Sequence, residues 1–466
     1  MGRYELLAEQ IKAQILNKIW RPGERIPSIR QCCKTAELSP MTVLQAYQLL
    51  ESQGWIYARP KSGYFVSHQT LNLPEPSRQP VKLQSTQVDI NDILFDVLQN
   101  TKDNSLVQLG SAFPDPQLFP LKALTRSLAS SSRKMSPFSA VSNLPPGNEP
   151  LRQIIAQRYA QKGIQINPNE IVITSGGMES LNLSLQAVTQ PGDLVAIESP
   201  TFYGALQAIE RLKLKAVEIP THPRTGVDLN VLAQSLQQLP IKACWFMTSF
   251  QNPLGFCMSQ EDKRDLVSML SLYHVPLIED DVYGELYFGN EQPLPAKAYD
   301  TQSTVLHCSS FSKCLSPGFR VGWVAAGAHA EKIQRLQLMS TLSASIPTQL
   351  ALNEYLRSGG FDAHLRRLRR TLEQRQHQML QAIQYYLPDN VKVTQPEGGY
   401  FLWLEFAQEV DSFALYQKLL AEKVAIAPGI LFSSQKQYTH HIRINYALPW
   451  NSRVENATAL LGRLLG

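Results

Sequence analysis

No run of about eighteen or more apolar residues occurs in the 466-residue sequence, so no segment has the length and apolarity of a membrane-spanning helix. Cysteine is scarce. Of the six, Cys32 and Cys33 are adjacent, while Cys244, Cys257, Cys308 and Cys314 lie in apolar or strand-like surroundings. None stands at zinc spacing from a histidine, and so few in this length make no disulfide framework; the expectation is reduced thiols and no metal. The opening Met1-Gly2-Arg3-Tyr4-Glu5 lacks the apolar core of a signal peptide, and Leu6 stands where myristoylation wants Ser or Thr. Internal repeats and low-complexity tracts are also missing. These absences point to a cytoplasmic protein without a membrane partner.

The chain is too long for one core, so two or more domains are expected. Hydrophobic residues at 44% and charged residues at 18% give an ordinary globular balance. The net charge of +5 is unevenly placed: residues 1–70 carry nine Lys/Arg against five Asp/Glu. A basic head on a near-neutral body suits a polyanion partner for the head. The head is expected over residues 1–68. Residues 69–88 hold three prolines and no apolar periodicity, which reads as a linker. From 89 to 466, apolar strand-like runs such as Ile171-Val172-Ile173, Ala243-Cys244-Trp245-Phe246 and Val305-Leu306-His307-Cys308 alternate with helical stretches. That pattern predicts a mostly parallel sheet covered on both faces. Five arginines crowd positions 366–375, but Leu365, Leu368, Leu372, Met379 and Ile383 recur at helical spacing, so a long helix with a solvated basic face is expected.

In the head, Leu7, Ile11 and Ile15 make the apolar stripe of a first helix, which Pro22-Gly23 follows. Ser28-Ile29-Arg30-Gln31 is a capping box, and Ser39-Pro40 opens a third helix whose Val43, Ala46, Tyr47 and Leu50 face inward. Two short strands, Trp55–Arg59 and Tyr64–Val66, flank the turn Pro60-Lys61-Ser62-Gly63. Three helices and a basic hairpin make a winged helix-turn-helix. With Pro22-Gly23-Glu24-Arg25-Ile26-Pro27-Ser28-Ile29-Arg30 and Ala46-Tyr47-Gln48-Leu49-Leu50-Glu51-Ser52-Gln53-Gly54, the sequence resembles the GntR superfamily. The resemblance implies double-stranded DNA as partner, with Arg30, Ser39, Met41, Thr42 and Gln45 at contact positions and Arg59, Lys61 and Gly63 on the wing. Many members carry Arg after the Ser39 position; Pro40 stands here instead, so one contact is lost.

Further along, Ser310-Phe311-Ser312-Lys313-Cys314-Leu315-Ser316-Pro317-Gly318-Phe319-Arg320 sets a lysine among small hydroxyls, with an arginine seven residues on. Such a group suits an amine nucleophile beside a phosphate dianion. Thr174-Ser175-Gly176-Gly177-Met178-Glu179 follows a strand and opens a helix, a ready anion cup. Glu279-Asp280-Asp281-Val282-Tyr283 also ends a strand; an acidic pair there suits a pyridine nitrogen, a Mg²⁺ ion or a helix cap. Gln251-Asn252-Pro253-Leu254-Gly255 offers an amide. Pyridoxal 5′-phosphate chemistry needs this set: a Schiff-base lysine, a carboxylate for the ring nitrogen and donors for the phosphate. In this order the segments resemble the fold-type I aminotransferases, an α/β fold with a large domain and a smaller C-terminal α+β domain. The resemblance assigns Gly177, Met178, Ser310, Ser312 and Arg320 to the phosphate, and Phe202, with Tyr203 beside it, to stacking on the ring. It assigns Asn252 and Tyr283 to the ring hydroxyl, Asp280 to the pyridine nitrogen and, with Lys313, to catalysis, and Arg443 to a substrate carboxylate. It also implies a homodimer, although Ser142-Asn143 replace a tyrosine that relatives use across the subunit boundary.

A GntR-like head joined to such a body resembles the MocR regulators. The expectation is a transcription regulator that senses an amino acid or amine through external aldimine formation at Lys313. The alternatives are a working aminotransferase with a DNA-binding head, or a sensor of the cofactor itself.

Overall fold

The computed structural model describes the chain except residues 1–2, 17–18, 21–22, 53–54, 60–61, 68–72, 90, 101–102, 104, 139–143 and 290, and except the side chains of 16, 52, 59 and 91–93. Two compact units divide it, residues 1–72 and 73–466.

In the first unit α1 (Arg3–Leu16), α2 (Ile29–Ala36) and α3 (Pro40–Ser52) are followed by β1 (Ile56–Arg59) and β2 (Gly63–Val66). The expected apolar stripe packs inward: Leu7, Ile11 and Ile15 are buried with Val43, Ala46, Tyr47 and Leu50 in one cluster. Both helix starts are capped as the sequence implies. The Ser28 side chain accepts the Gln31 N–H at 3.3 Å, and Ser39 Oγ accepts the Thr42 N–H at 3.2 Å. Tyr47 Oη donates to the Pro27 carbonyl at 2.7 Å, which ties α3 to the chain before α2. A detail beyond the sequence pattern is a third strand-like partner of the wing. Arg25 bridges Phe65 antiparallel, and Val66 N–H donates to Glu24 O at 2.9 Å.

The second unit is built on a nine-stranded sheet. Its strands are β3 (Ser85–Thr86), β5 (Ile171–Thr174), β6 (Leu194–Ser199), β7 (Lys215–His222) and β8 (Gly226–Val227). The remainder are β9 (Ile241–Phe246), β10 (Leu277–Asp280), β11 (Val305–Ser310) and β12 (Gly322–Ala325). They lie in the order β3-β7-β6-β9-β10-β11-β12-β5, with β8 beside β7. From β7 to β11 every pairing is parallel; β12 is antiparallel to both β11 and β5, so β5 runs with the majority. The strands β5, β10 and β11 are buried throughout, as helices on both faces require. A second, antiparallel sheet comprises β13 (Lys392–Val393), β14 (Phe401–Glu405), β16 (Ala427–Pro428) and β17 (His441–Asn445), in the order β13-β14-β17-β16. A parallel pair, β4 (Val107–Gln108) with β15 (Val424–Ala425), completes the unit.

Two expectations need correction. Residues 73–88 are not free linker. Val393 N–H donates to Pro74 O and Ser77 N–H to Glu405, while Arg78 pairs with Asp228 and Arg224 with Glu75. Ser85 and Thr86 then pair with Val217 and Ala216. Backbone pairing needs no side-chain pattern, so a proline-spaced segment serves as a strap. The long helix is present at Gly360–Tyr386, with Leu365, Leu368 and Leu372 buried, but its basic face is only partly solvated. Arg369 turns inward onto the Tyr287 ring at 3.8 Å and the Glu285 carbonyl at 2.7 Å. Arg375 reaches Asp115 at 2.9 Å.

That helix packs against Ser452–Leu465 at Gly462, where an added Cβ would overlap the Tyr386 carbonyl. At an exposed helical site, Gly→Ala stabilises by up to about 1 kcal/mol. Here the overlap should dominate: Gly462→Ala is expected to cost about 1–3 kcal/mol, seen as a lower denaturation midpoint in urea. A raised midpoint would contradict this packing.

Candidate functional site

Because β5, β6, β9, β10 and β11 run the same way, their C-terminal ends share one edge, where α/β sheets bind ligands. The expected residues emerge there. Lys313 sits in the turn after β11, its Nζ donating to the Ala112 carbonyl at 2.8 Å and lying over the Phe113 ring at 4.8 Å and the Tyr283 ring at 5.8 Å. Tyr400 Oη donates to the Lys313 carbonyl, fixing the turn. Burial, with the Arg443 and Arg320 charges, lowers the Lys313 amine to about 8, against the opposing pull of Asp280. Asp280, the last residue of β10, is raised to about 7 chiefly by burial, although a Val282 N–H and Lys313 pull it back. Its Oδ1 is buried without a hydrogen-bond partner among the described residues.

Arg443 on β17 is about 1% exposed. Its Nη1 donates to Asn252 Oδ1 at 2.8 Å and its Nη2 to Gly110 O at 2.6 Å, while its Nε has no hydrogen-bond partner among the described residues. The Phe401 ring lies 4.2 Å from the guanidinium, with Phe432 at 5.2 Å and Tyr203 at 5.8 Å. Asn252 and Arg443 are thus brought together. The loop that carries Asn252 is fixed by Lys263, a buried cation donating to Ser249 Oγ and to Leu294 O, each at 2.8 Å. Tyr283 is buried edge-on to Tyr400 and Phe401, and burial pushes its hydroxyl pKa up.

The glycine turn opens a helix beside Arg320. Gly176 has φ 98° and precedes the helix Gly177–Val188, so the first N–H groups of that helix, including those of Gly177 and Met178, are free of intrahelical acceptors. A Cβ on Gly176 would meet the Arg320 guanidinium at 2.6 Å, and one on Gly177 would meet Val282 at 3.1 Å. Arg320, itself left-handed at φ 50°, donates to Ser175 O at 2.9 Å. Ser310 and Ser312 are both buried, and Ser312 Oγ lacks a hydrogen-bond partner among the described residues. Phe202 caps the helix Tyr203–Arg211 and tilts against Tyr203 at 4.8 Å.

In the head, Arg30, Ser39, Met41 and Gln45 are exposed and Thr42 half-buried, at the starts of α2 and α3. Gly63 has φ 99° and leaves room for the Arg25 guanidinium at 3.1 Å from a notional Cβ. The Arg59 side chain and Lys61 lie outside the described residues, as do Ser142 and Asn143.

Several groups of the site carried no sequence signal. Gly110 and Ala112 act through carbonyls, which any residue supplies. Tyr400 follows Gly398-Gly399 before an apolar strand, a glycine turn beside a strand like those that marked other segments, and could have been found that way.

The winged helix-turn-helix of one unit and the fold-type I aminotransferase fold of the other define a regulator built on an enzyme scaffold. Residues 3–66 match the family of bacterial regulatory proteins, gntR family, and residues 115–461 match aminotransferase class I and II. The HTH-type transcriptional regulator YdcR of Escherichia coli (strain K12) is 55% identical over 100% of this chain and 99% of its own length. Pyrococcus horikoshii kynurenine aminotransferase, solved with PMP, superimposes with TM-score 0.75 at 26% identity, covering 81% of this chain and 95% of that one. LysN of Thermus thermophilus, an α-aminoadipate aminotransferase complexed with N-(5′-phosphopyridoxyl)-L-leucine, gives TM-score 0.74 at 27% identity, over 81% and 95%. The chain belongs to the class I and II aminotransferase family and, through its gntR head, to the MocR type of HTH transcription regulator.

The electrostatics of the site are open to test. Removing the Arg443 charge should raise the Lys313 amine above about 8, while burial keeps it below its ordinary value. The pH profile of amine-selective labelling at Lys313, in cofactor-stripped Arg443→Met, is expected to move to higher pH. An unmoved profile would show that the two charges are not coupled.

Proposed function

We propose that the chain is a dimeric, pyridoxal 5′-phosphate-dependent transcription regulator that binds DNA through its head and senses an amino compound at Lys313. One observation carries the reading: buried polar atoms without partners, Asp280 Oδ1 and Ser312 Oγ, converge with a glycine-opened helix start around a lysine of lowered pKa. Buried polar atoms are rarely left unsatisfied, so this set fits a polar, anionic group. Gly177 and Met178 N–H groups, Ser310, Ser312 and Arg320 would hold its phosphate. Phe202, with Tyr203 beside it, would cover the ring face, and Asp280 would keep a proton on the pyridine nitrogen. Asn252 Oδ1 accepts from Arg443, which leaves its NH₂ to donate to the ring hydroxyl together with Tyr283. When bound, the cofactor supplies an aldehyde carbon that a free amine can take over from a lysine, and a ring that accepts electron density.

The protein's own part is positional. Lys313 at about 8 keeps a useful fraction of unprotonated amine near neutral pH. Arg443 offers an unpartnered Nε and two donors now held by neutral oxygens, which a ligand carboxylate would outcompete. In this reading the head presents Ser39, Met41, Thr42 and Gln45 to the major groove and Arg30, at the start of α2, to a phosphate, while Arg59 and Lys61, beside Gly63 on the wing, reach phosphate or the minor groove. The regulator reading is supported by the 55% identical relative, itself named an HTH-type transcriptional regulator. A working aminotransferase is the second reading, favoured by the completeness of the set around Lys313 and by the enzymes that share the fold.

Lys313→Ala is expected to abolish the near-visible absorption of the cofactor-loaded chain; an unchanged band would refute the site. Titrating amino acids should alter that band and, in a gel shift with a promoter fragment, DNA affinity, without a keto-acid product. Steady conversion of an amino acid with a 2-oxo acid, and no operator, would favour the enzyme instead. Arg30→Ala should weaken binding of all DNA sequences and flatten the salt dependence, with the absorption band unmoved.

A further inference from the structure

We propose that Glu405, His440 and His441 form a site for one divalent metal ion of the zinc class, made of residues other than those around Lys313. One ligand atom from each of the three lies within 4.8 Å of the others. The strand register creates this arrangement. β14 and β17 run antiparallel with Glu405 opposite His441, so both side chains leave the same face, and His440 adjoins them where Phe406 N–H donates to its carbonyl.

The distances are those of groups waiting to be bridged. His441 Nε2 stands 3.8 Å from Glu405 Oε2, too far for a hydrogen bond. Donors on a tetrahedral zinc with bonds of about 2.0–2.1 Å lie roughly 3.4 Å apart, so a small closure of this gap accommodates the ion. The His441 ring is held in place by stacking on Trp403 at 5.3 Å and 25°, and its buried Nδ1 has no hydrogen-bond partner among the described residues. The His440 ring centroid is 4.3 Å away and half-buried, which leaves a route for the ion from solvent. Two imidazoles and one carboxylate with an open fourth position are a zinc-type ligand set, and at neutral pH imidazoles are mostly unprotonated.

Two contacts temper the affinity. Lys392 Nζ lies 2.7 Å from Glu405 Oε1, and Ser77 N–H donates to Oε2 at 2.9 Å. The ammonium repels a cation, so binding in the micromolar range is expected rather than the tighter affinity of a closed structural site. The Ser77 contact gives the site its consequence, because the same carboxylate anchors the strap 73–88 to the second sheet.

The test uses the full-length, cofactor-loaded chain after chelator treatment, titrated with Zn²⁺ by calorimetry and with Co²⁺ by visible absorption. The expected result is saturable binding of about one ion per chain with a tetrahedral-type Co²⁺ spectrum. His440→Ala, at a half-exposed position, should retain the fold by circular dichroism and weaken binding by roughly tenfold or more. Lys392→Gln should tighten it severalfold. Absence of saturable binding, or wild-type affinity in His440→Ala with the ion held by cysteines elsewhere, would overturn the site. Neither variant touches the Lys313 machinery, so the near-visible band should be unchanged, and the outcome is independent of the regulator reading.

Discussion

A guanidinium at about 1% exposure holds the second unit in its present form. Arg443 stands on β17 of the antiparallel sheet, yet its hydrogen bonds go elsewhere, to Asn252 in the loop after β9 and to Gly110 after β4. A buried charge left without acceptors is strongly destabilising, so three separate parts of the chain are bound to one another by the need to satisfy it. Its acceptors are neutral oxygens and its neighbours are aromatic faces. The charge is therefore compensated only in part, and its own pKa is lowered, chiefly by burial. Under the proposed function, that partial compensation would leave the group receptive to a ligand carboxylate.

The large sheet supplies the complementary half. Parallel strands deliver their C-terminal residues to a common edge, and there Asp280, Asn252, Lys313 and the Gly176-Gly177 turn meet. Their proximity makes the pKa shifts mutual. Asp280 raises the Lys313 amine while Arg443 and Arg320 lower it, and Lys313 lowers Asp280 in return. Desolvation is the largest cause for both groups, so the site depends on exclusion of water as much as on any one pair.

Much of this was legible in the sequence, and the exceptions share one cause. The head could be read helix by helix because the spacing of Leu7, Ile11 and Ile15 and the caps at Ser28 and Ser39 are side-chain signals. Lys313, Asp280, Asn252 and the glycine turn were legible because each follows an apolar strand in a distinctive local motif. Gly110, Ala112, Pro74 and the Ser85–Thr86 pairing were not, since they act through backbone groups. Proline-spaced residues 73–88 carry linker composition yet bind as a strap. Arg369 and Arg375 were assigned to solvent from helical spacing alone; their acceptors at Glu285, Asp115 and Ala447 are brought close only by tertiary packing.

The distribution of rigid and exchangeable contacts bears on the sensor reading proposed above. Gly110 has no room beside the Ile426 backbone, and its N–H donates to Ala425 at 2.8 Å, so the carbonyl facing Arg443 is held on a stiff element. Asn252 is held as firmly, through the Lys263 contacts at the base of its loop. A ligand that recruits Arg443 must then compete with acceptors that cannot follow it. The exchange is a choice between two discrete bonding patterns rather than a graded drift. A ligand shifts such an equilibrium only by its differential affinity for the two patterns, and a carboxylate differs from an amide oxygen by a full charge. Under the proposed sensor reading, the same buried arginine that makes the fold costly to assemble would give a bound amino acid the means to favour one arrangement of β4, β17 and the Asn252 loop over another.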